Sequence, residues 1–191
     1  CKKCGGRRQT ILPDPLRHSY LMPRCVCPCQ QEAEKQRKAA EEQRALMESI
    51  RRRRAQGLQD RYLHEFTFAN DNGQNPLMEK ARAYVGNWKE AYRENTGLLL
   101  FGDVGTGKSF FAGCIANALI DQDVPVLMTN IPSILNQLTG MFAEDRAAFI
   151  SALDDYSLLI LDDLGVERNT EYALEQMFLV IDSRYRSRKP L

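Results

Sequence analysis

The rhythm of hydrophobic positions changes along the chain, and each change marks a segment. From Gln30 to about Gln56 hydrophobic residues are scarce. Gln, Glu, Ala, Lys and Arg run on without Gly or Pro, interrupted only by Leu46, Met47 and Ile50. Strong helix formers with so thin an apolar stripe predict a solvent-exposed helix or connector, with at most a weak coiled-coil seam. The run closes on Arg51-Arg52-Arg53-Arg54 before Gly57, and cations suit the negative end of a helix dipole. Residues 58–75 have no period and read as an aromatic-bearing loop. Leu77, Ala81, Tyr84, Val85, Trp88 and Tyr92 then recur at helical spacing and predict a helix over 77–94. Gly97-Leu98-Leu99-Leu100-Phe101 is a continuous apolar run of strand length. Ser109 to about Ile120 is apolar on most sides and helical. Val124 to Thr129 reads as a second buried strand, residues 131–155 as one or two helices, and Leu158-Leu159-Ile160-Leu161 as a third strand ending on Asp162-Asp163. Leu174, Met177, Phe178, Ile181 and Tyr185 mark an amphipathic helix. Buried strands alternating with helices of this length predict an α/β fold, a parallel sheet with flanking helices.

Composition adds a division. The chain is 43% hydrophobic and 27% charged, as ordinary soluble proteins are, and no run of eighteen apolar residues suggests a membrane span. No signal peptide opens it, so the expected location is cytoplasmic, with no membrane partner. It begins on Cys1 and closes on Leu191 directly after Lys189-Pro190, and both ends read as truncations. A net charge of +1 conceals a strong asymmetry: residues 1–58 carry 14 Lys/Arg against 6 Asp/Glu, the remainder 12 against 19. A basic head on an acidic body suggests two units with different partners. Residues 1–29 are rich in turn formers and poor in core material, so they need a cross-link to hold a structure. The expected organisation is a module at 1–29, a charged helical linker at 30–58 and a core at 59–191.

The strongest chemical signal is Gly102-Asp103-Val104-Gly105-Thr106-Gly107-Lys108-Ser109, set between an apolar strand and an apolar helix. Glycines let successive peptide N–H groups turn onto phosphate oxygens, and the helix start adds its positive pole. Lys108 is expected to neutralise the β- and γ-phosphates of ATP, and the Ser109 hydroxyl to take a place on Mg²⁺. The nucleotide-contacting residues are accordingly Gly102 through Gly107, Lys108, Ser109 and Phe110. Asp162-Asp163, at the carboxyl end of a strand, stands where α/β sheets bind ligands. Asp162 is expected to hold Mg²⁺ through water and Asp163 to polarise the attacking water, which makes Lys108, Asp162 and Asp163 the catalytic set.

Five of the six cysteines fall at positions 1, 4, 25, 27 and 29. Clustering of this kind beside an intracellular-type ATPase signature favours a metal over disulfides. Cys1-x₂-Cys4 followed by Gly5-Gly6 has the turn of a zinc knuckle, and Cys25-x-Cys27-x-Cys29 offers a second chelating pair with a spare. The expected zinc ligands are Cys1, Cys4, Cys25 and Cys27. Cys29 competes for a second-half place, and His18 is a candidate substitute. Cys114, in an apolar helical context, reads as core. Lys2, Lys3, Arg7, Arg8 and Arg51–Arg54 are candidates for phosphate contact to DNA, or for an acidic protein surface.

The combination GDVGTGKS, LLILDDLGVE and IDSRYRSRKP resembles the AAA+ ATPases that load the replicative helicase, the DnaC and DnaI type of bacteria and their phages. The likeness covers residues 60–191 and, through the cysteine cluster and charged helix, the N-terminal part. It implies an N-terminal zinc module that contacts the hexameric helicase, and a core that binds ATP and single-stranded DNA and self-associates through the AAA+ interface. The function it implies is loading that helicase onto single-stranded DNA during replication initiation or restart. The core also resembles the transposition-helper ATPases of insertion sequences, the alternative reading, which share only the core. The resemblance places adenine packing near Arg61–Phe68. AAA+ enzymes usually carry Asp-Glu where this chain has Asp162-Asp163, which implies slow hydrolysis. It also implies an AAA+ sheet incomplete at the C-terminus, with the sensor-1 residue, arginine finger and sensor-2 arginine lying beyond Leu191. Arg184, Arg186 and Arg188 read as a basic helix end or as contacts to a neighbouring subunit or DNA.

Overall fold

The computed structural model describes residues 1–7, 9–14, 19–22, 26–164 and 170–191, which form two compact units, Cys1–Glu48 and Ser49–Leu191. In the first, strands β1 (Leu12–Pro13) and β2 (Tyr20–Leu21) pair antiparallel, Leu12 opposite Leu21. Helix α1, Pro28–Gly57, opens on a proline whose fixed φ suits a first helical turn. It contributes to both units and is exposed along most of its length, as its polar composition predicts.

The second unit is built around a parallel pair, β3 (Val126–Asn130) and β4 (Leu158–Asp162), in register from Val126↔Leu158 to Asn130↔Asp162. Leu58 adds a single parallel bridge to Met128 on the opposite edge of β3. Alternate side chains of a strand point to opposite faces, so each strand feeds two cores. Val126, Met128, Leu158 and Ile160 join a cluster with α2 (Met78–Gly86), α3 (Trp88–Arg93) and α4 (Lys108–Asp121). Leu127, Leu159 and Leu161 join another with α5 (Ile131–Leu138), α6 (Ala143–Leu153) and α7 (Glu171–Arg186). The result is three layers, helices on both faces of a parallel sheet. Helix α4 carries buried residues on nearly every side, from Phe111 to Ile120, which is why its sequence lacks a polar face.

Two expected elements differ. The helix over 77–94 is broken at Gly86-Asn87, two poor helix formers, and Asn87 leaves helical geometry at φ −102°, ψ 21°. Trp88 then sits between Tyr84 and Tyr92, with ring centroids 5.9 and 5.7 Å away. The apolar run 97–101 forms no strand. Leu98 N–H donates to the Leu191 carbonyl, and Leu159 N–H donates to the Pro190 carbonyl. Pro190-Leu191 therefore stands between this run and β4 and keeps them from pairing. Leu99 and Phe101 remain 79% and 88% exposed.

Candidate functional site

Residues 102–107 bring the chain into α4 through a loop in which Gly105 and Gly107 take φ of +83° and +85°. A Cβ at either position would be strained, and left-handed glycines of this kind are what let a loop turn its peptide N–H groups onto an anion. Lys108 Nζ donates to the carbonyls of Gly102 and Asp103, both at 2.8 Å, and Thr106 Oγ1 donates to Asp103 at 2.8 Å. The ammonium is folded onto its own loop, where the oxygens of a polyphosphate would compete for it. Ser109 lies in the first turn of α4, and the Phe110 ring stands edge-on to Phe66, centroids 5.3 Å apart.

Asp162 ends β4 opposite Asn130. Asp163 follows at φ 52°, a left-handed conformation that Asp tolerates better than most residues. Lys108, Gly102 and Val104 line a cavity of about 580 Å³ together with Asp162, Asp163, Leu98–Leu100 and Ile181. The glycine loop and the carboxylate pair, some fifty residues apart in sequence, thus meet at one recess. A second cavity, about 980 Å³, joins Gly102 and Gly105–Lys108 to residues 70–78. An anion cradle with a lysine, meeting a carboxylate pair at one recess, suits a polyphosphate with a divalent cation; Ser109 itself lines neither cavity.

The loop expected to pack adenine sends Leu63 into the core and packs Phe66 and Phe68 against it, while Arg61, Tyr62 and Glu65 stay exposed. Leu63 is buried, and Phe66 lies so close to α4 that a Cβ on Gly113 would stand 2.6 Å from its ring. Asn117 Nδ2 donates to the carbonyls of Leu63, Phe66 and Gly113 at 2.8, 3.0 and 3.0 Å, fastening the turn to the helix. Tyr62 is exposed, and its hydroxyl is held above its ordinary value chiefly by the desolvation that remains, with Asp60, Asp162 and Asp163 adding to it. None of residues 61–68 lines either cavity of the glycine loop. Residues 70–78 do, and sequence reading passed over them. Their only signal is a density of Asn, Asp and Gln, which reads equally as a plain turn.

Several basic candidates are engaged. Arg53 and Arg54 pair with Asp123 and Asp121 at the end of α4, leaving Arg51 and Arg52 exposed. Arg184 is not a surface cation: it is 1% exposed and donates to the carbonyls of Tyr156, Ser157 and Pro190 at 2.7 to 3.2 Å. Arg186 pairs with Asp182 and Arg188 is exposed. Lys2, Lys3 and Arg7 are exposed, and Arg8 lies outside the described residues.

In the first unit, the sulfurs of Cys1, Cys4, Cys27 and Cys29 lie within 4.8 Å of one another. Cys27 and Cys29 are 3.2 Å apart, Cys1 and Cys29 3.5 Å. Four thiolates on a tetrahedral zinc at bond lengths of about 2.3 Å would be spaced by about 3.8 Å, so the cluster fits such an ion. Of the expected ligands, Cys1, Cys4 and Cys27 are brought together, and Cys29 completes the four among the described residues. Cys25 and His18 lie outside the described residues. Gly6 lets the knuckle close, since a Cβ there would sit 3.2 Å from Cys4 Sγ and 3.0 Å from Pro28. The Gly6 N–H is also the main cause that lowers the Cys4 thiol to about 7, helped by Cys29. Cys27, then Cys4, push Cys29 up to about 11. Thiols this close resist ionising together, and a bound cation removes that resistance.

Comparison with known proteins agrees with this geometry. The replicative helicase loader DnaC of Escherichia coli K12 is 30% identical over 122 residues, 62% of this chain and 48% of that protein. A putative insertion sequence ATP-binding protein of Sinorhizobium fredii is 34% identical over 115 residues, 59% of this chain and 39% of that one. The chain thus spans about half the length, or less, of these curated relatives. The crystal structure of DnaI superimposes with a TM-score of 0.57 at 20% identity, covering 71% of this chain and 74% of that one, a shared fold. A family model described as IstB-like ATP-binding protein matches residues 31–189. With its phosphate loop and carboxylate pair inside that span, the chain belongs to the IstB-like ATP-binding protein family.

Proposed function

We propose that this protein is an ATP-dependent loader of a hexameric replicative DNA helicase onto single-stranded DNA. The observation that carries the reading is the meeting of Lys108 with Asp162 and Asp163 at one recess, in a chain whose other unit gathers four thiols. Similarity to DnaC supports the loading role. Lys108 exchanges its two loop carbonyls for β- and γ-phosphate oxygens, and the peptide N–H groups of residues 103–108 hold the rest of the polyphosphate. The Ser109 hydroxyl and, through water, Asp162 would hold Mg²⁺, which would supply charge neutralisation. Asp163 orients the attacking water, and its short side chain makes turnover slow. Cys1, Cys4, Cys27 and Cys29 hold zinc, which stiffens residues 1–29 as the helicase-contacting module. Residues 30–58 are the linker, and 59–191 are an ATP-binding core that works beside a second copy in the cytoplasm. ATP favours the form that grips single-stranded DNA and its neighbour, and hydrolysis releases the helicase.

The test is co-purification of the 191-residue chain with the cognate hexameric helicase. Retention is expected for the unaltered chain and for Lys108→Ala, and loss for Cys1→Ser combined with Cys4→Ser. A chain that retains no helicase sinks the reading. A second reading, a transposition helper, is favoured by the Sinorhizobium relative. Capture of a transposase instead of the helicase would establish it.

A further inference from the structure

Metal binding uses the four thiols of the first unit as donors, but their arrangement also suits chemistry between the sulfurs themselves. Cys1, Cys4, Cys27 and Cys29 are free thiols with sulfurs within 4.8 Å of one another. Cys29 is central to the group. Its Sγ lies 3.2 Å from that of Cys27 and 3.5 Å from that of Cys1, and it is a hydrogen-bond partner of Cys4. The four differ in access: Cys4 is exposed, Cys1 and Cys29 are half-buried, and Cys27 is buried. Lys2 and Lys3, directly before Cys4, are exposed as well, the electropositive setting typical of reactive cysteines. Cys114, fully buried in α4, stands outside the cluster. A solution oxidant therefore meets Cys4 first, with Cys29 as the neighbour able to answer.

Zinc has no redox chemistry of its own, so electrons given to an oxidant come from sulfur. Hydrogen peroxide attacked by the Cys4 thiolate loses its O–O bond, leaving Cys4 as the sulfenic acid and releasing hydroxide. The Cys29 thiolate then attacks the Cys4 sulfur, the S–S bond forms, and a second hydroxide leaves. In sum, two thiolates give up two electrons to one peroxide, yielding one disulfide and two hydroxides. The disulfide requires its sulfurs to close to about 2.05 Å. Cys4 precedes Gly5, whose φ is +68° with open space around it, while Cys29 is fixed in the first turn of α1, so the approach falls to Cys4. The thiolate, not the disulfide, is the metal ligand. Only Cys1 and Cys27 then remain as donors, half of a tetrahedral set, and the metal is lost.

We propose that Cys4 and Cys29 are a site of oxidative modification by peroxides, and that their reversible disulfide expels the metal from the first unit and detaches the helicase. This rests on the reading of residues 1–29 as a zinc-held, helicase-contacting module. The zinc-loaded, full 191-residue chain is treated with hydrogen peroxide in a series of doses. Released zinc is read with a coloured chelator, disulfides are mapped by peptide mass spectrometry, and helicase retention is read by co-purification. A Cys4–Cys29 disulfide is expected to accumulate in step with zinc release, one disulfide for each zinc, as helicase retention is lost. Dithiothreitol followed by zinc restores both metal and retention. Cys114→Ser, outside the cluster, responds as the unaltered chain does. Zinc released without that disulfide, through sulfinic acids, through Cys25 or through links between chains, overturns the pair. A disulfide that forms while zinc stays bound, or a loss that dithiothreitol does not reverse, overturns the switch. A reduced chain that holds no zinc removes the metal reading, and the proposal with it. A reduced chain that holds zinc but retains no helicase sinks the loader reading and the detachment, while the zinc and disulfide measurements still decide the metal expulsion.

Discussion

At the scale of single residues, the packing of the ATP-binding unit depends on positions that its motifs do not contain. Gly113 is one: with Phe66 pressed on the backbone of α4, an ideal Cβ would stand 2.6 Å from both Cβ and Cδ2 of Phe66. Gly113→Ala would ordinarily help a helix, but here the ring must move off its packed rotamer. The expected result is a loss of about 1–3 kcal/mol, read as a lower midpoint of denaturant unfolding. An unchanged or raised midpoint would show that Phe66 yields freely. Arg184 is the second. Its guanidinium is buried, which pushes its pKa below the usual value, and Asp154 lies 3.8 Å away. Arg184→Ala leaves the carbonyls of Tyr156, Ser157 and Pro190 without their donor, and is expected to cost about 3–5 kcal/mol. Arg184→Lys recovers little, because a single ammonium cannot fork to that set. Neither role was legible in sequence. A Gly in an apolar helix and an Arg among surface-like cations look ordinary until the chain segments that press on them are known.

At the scale of elements, what is local was readable and what depends on a remote partner was not. The span of α1, the glycine loop, α4 and β4 follow from composition and spacing within one window, and all were placed within a few residues. The unpaired run 97–101 depends instead on Pro190-Leu191, some ninety residues later. The attachment of α1 to the ATP-binding unit also joins distant segments. Ser49 Oγ and Arg53 Nε donate to Asp123 Oδ1 at 2.7 and 2.6 Å, and Arg54 pairs with Asp121. Asp123 itself sits at φ 60° just past the end of α4. The Arg51–Arg54 run, legible as helix-ending cations, is thus half committed to the end of the phosphate-binding helix. The bond from Arg53, then that from Ser49, holds the Asp123 carboxyl below its usual value. A carboxylate depressed in the folded state adds stability above its unfolded pKa, near about 4, and loses it as pH falls through the lower folded value. Asp123→Asn should therefore be less stable than the unaltered chain at neutral pH, with the gap closing as pH drops below about 4. Urea unfolding at a series of pH values measures this. A gap that stays constant with pH would mean that the ion pair adds nothing.

At the scale of the whole molecule, the two units have different means of support. The ATP-binding unit has two clusters of buried side chains around its sheet. Before α1, Cys27 is the one buried hydrophobic residue among the described part of the first unit, and the β1–β2 ladder is two residues long. Such a segment cannot hold its form by burial, and a metal on the four-thiol cluster would supply a cross-link. Sequence made the need for a cross-link plain, but not which four of five cysteines serve, because a sulfur's position depends on how the knuckle at Gly5-Gly6 folds back on the start of α1. Removing the metal with a chelator should then abolish amide-exchange protection within residues 1–27 while leaving that of β3, β4 and α4 unchanged. Cys4→Ser should reproduce the effect without chelator. Protons compete with the metal for the thiols, so retention should weaken as pH falls. Protection that survives both the chelator and Cys4→Ser would show that the module folds without a metal. The cluster would then be a set of reduced thiols beside an ATP-binding unit that does not need them.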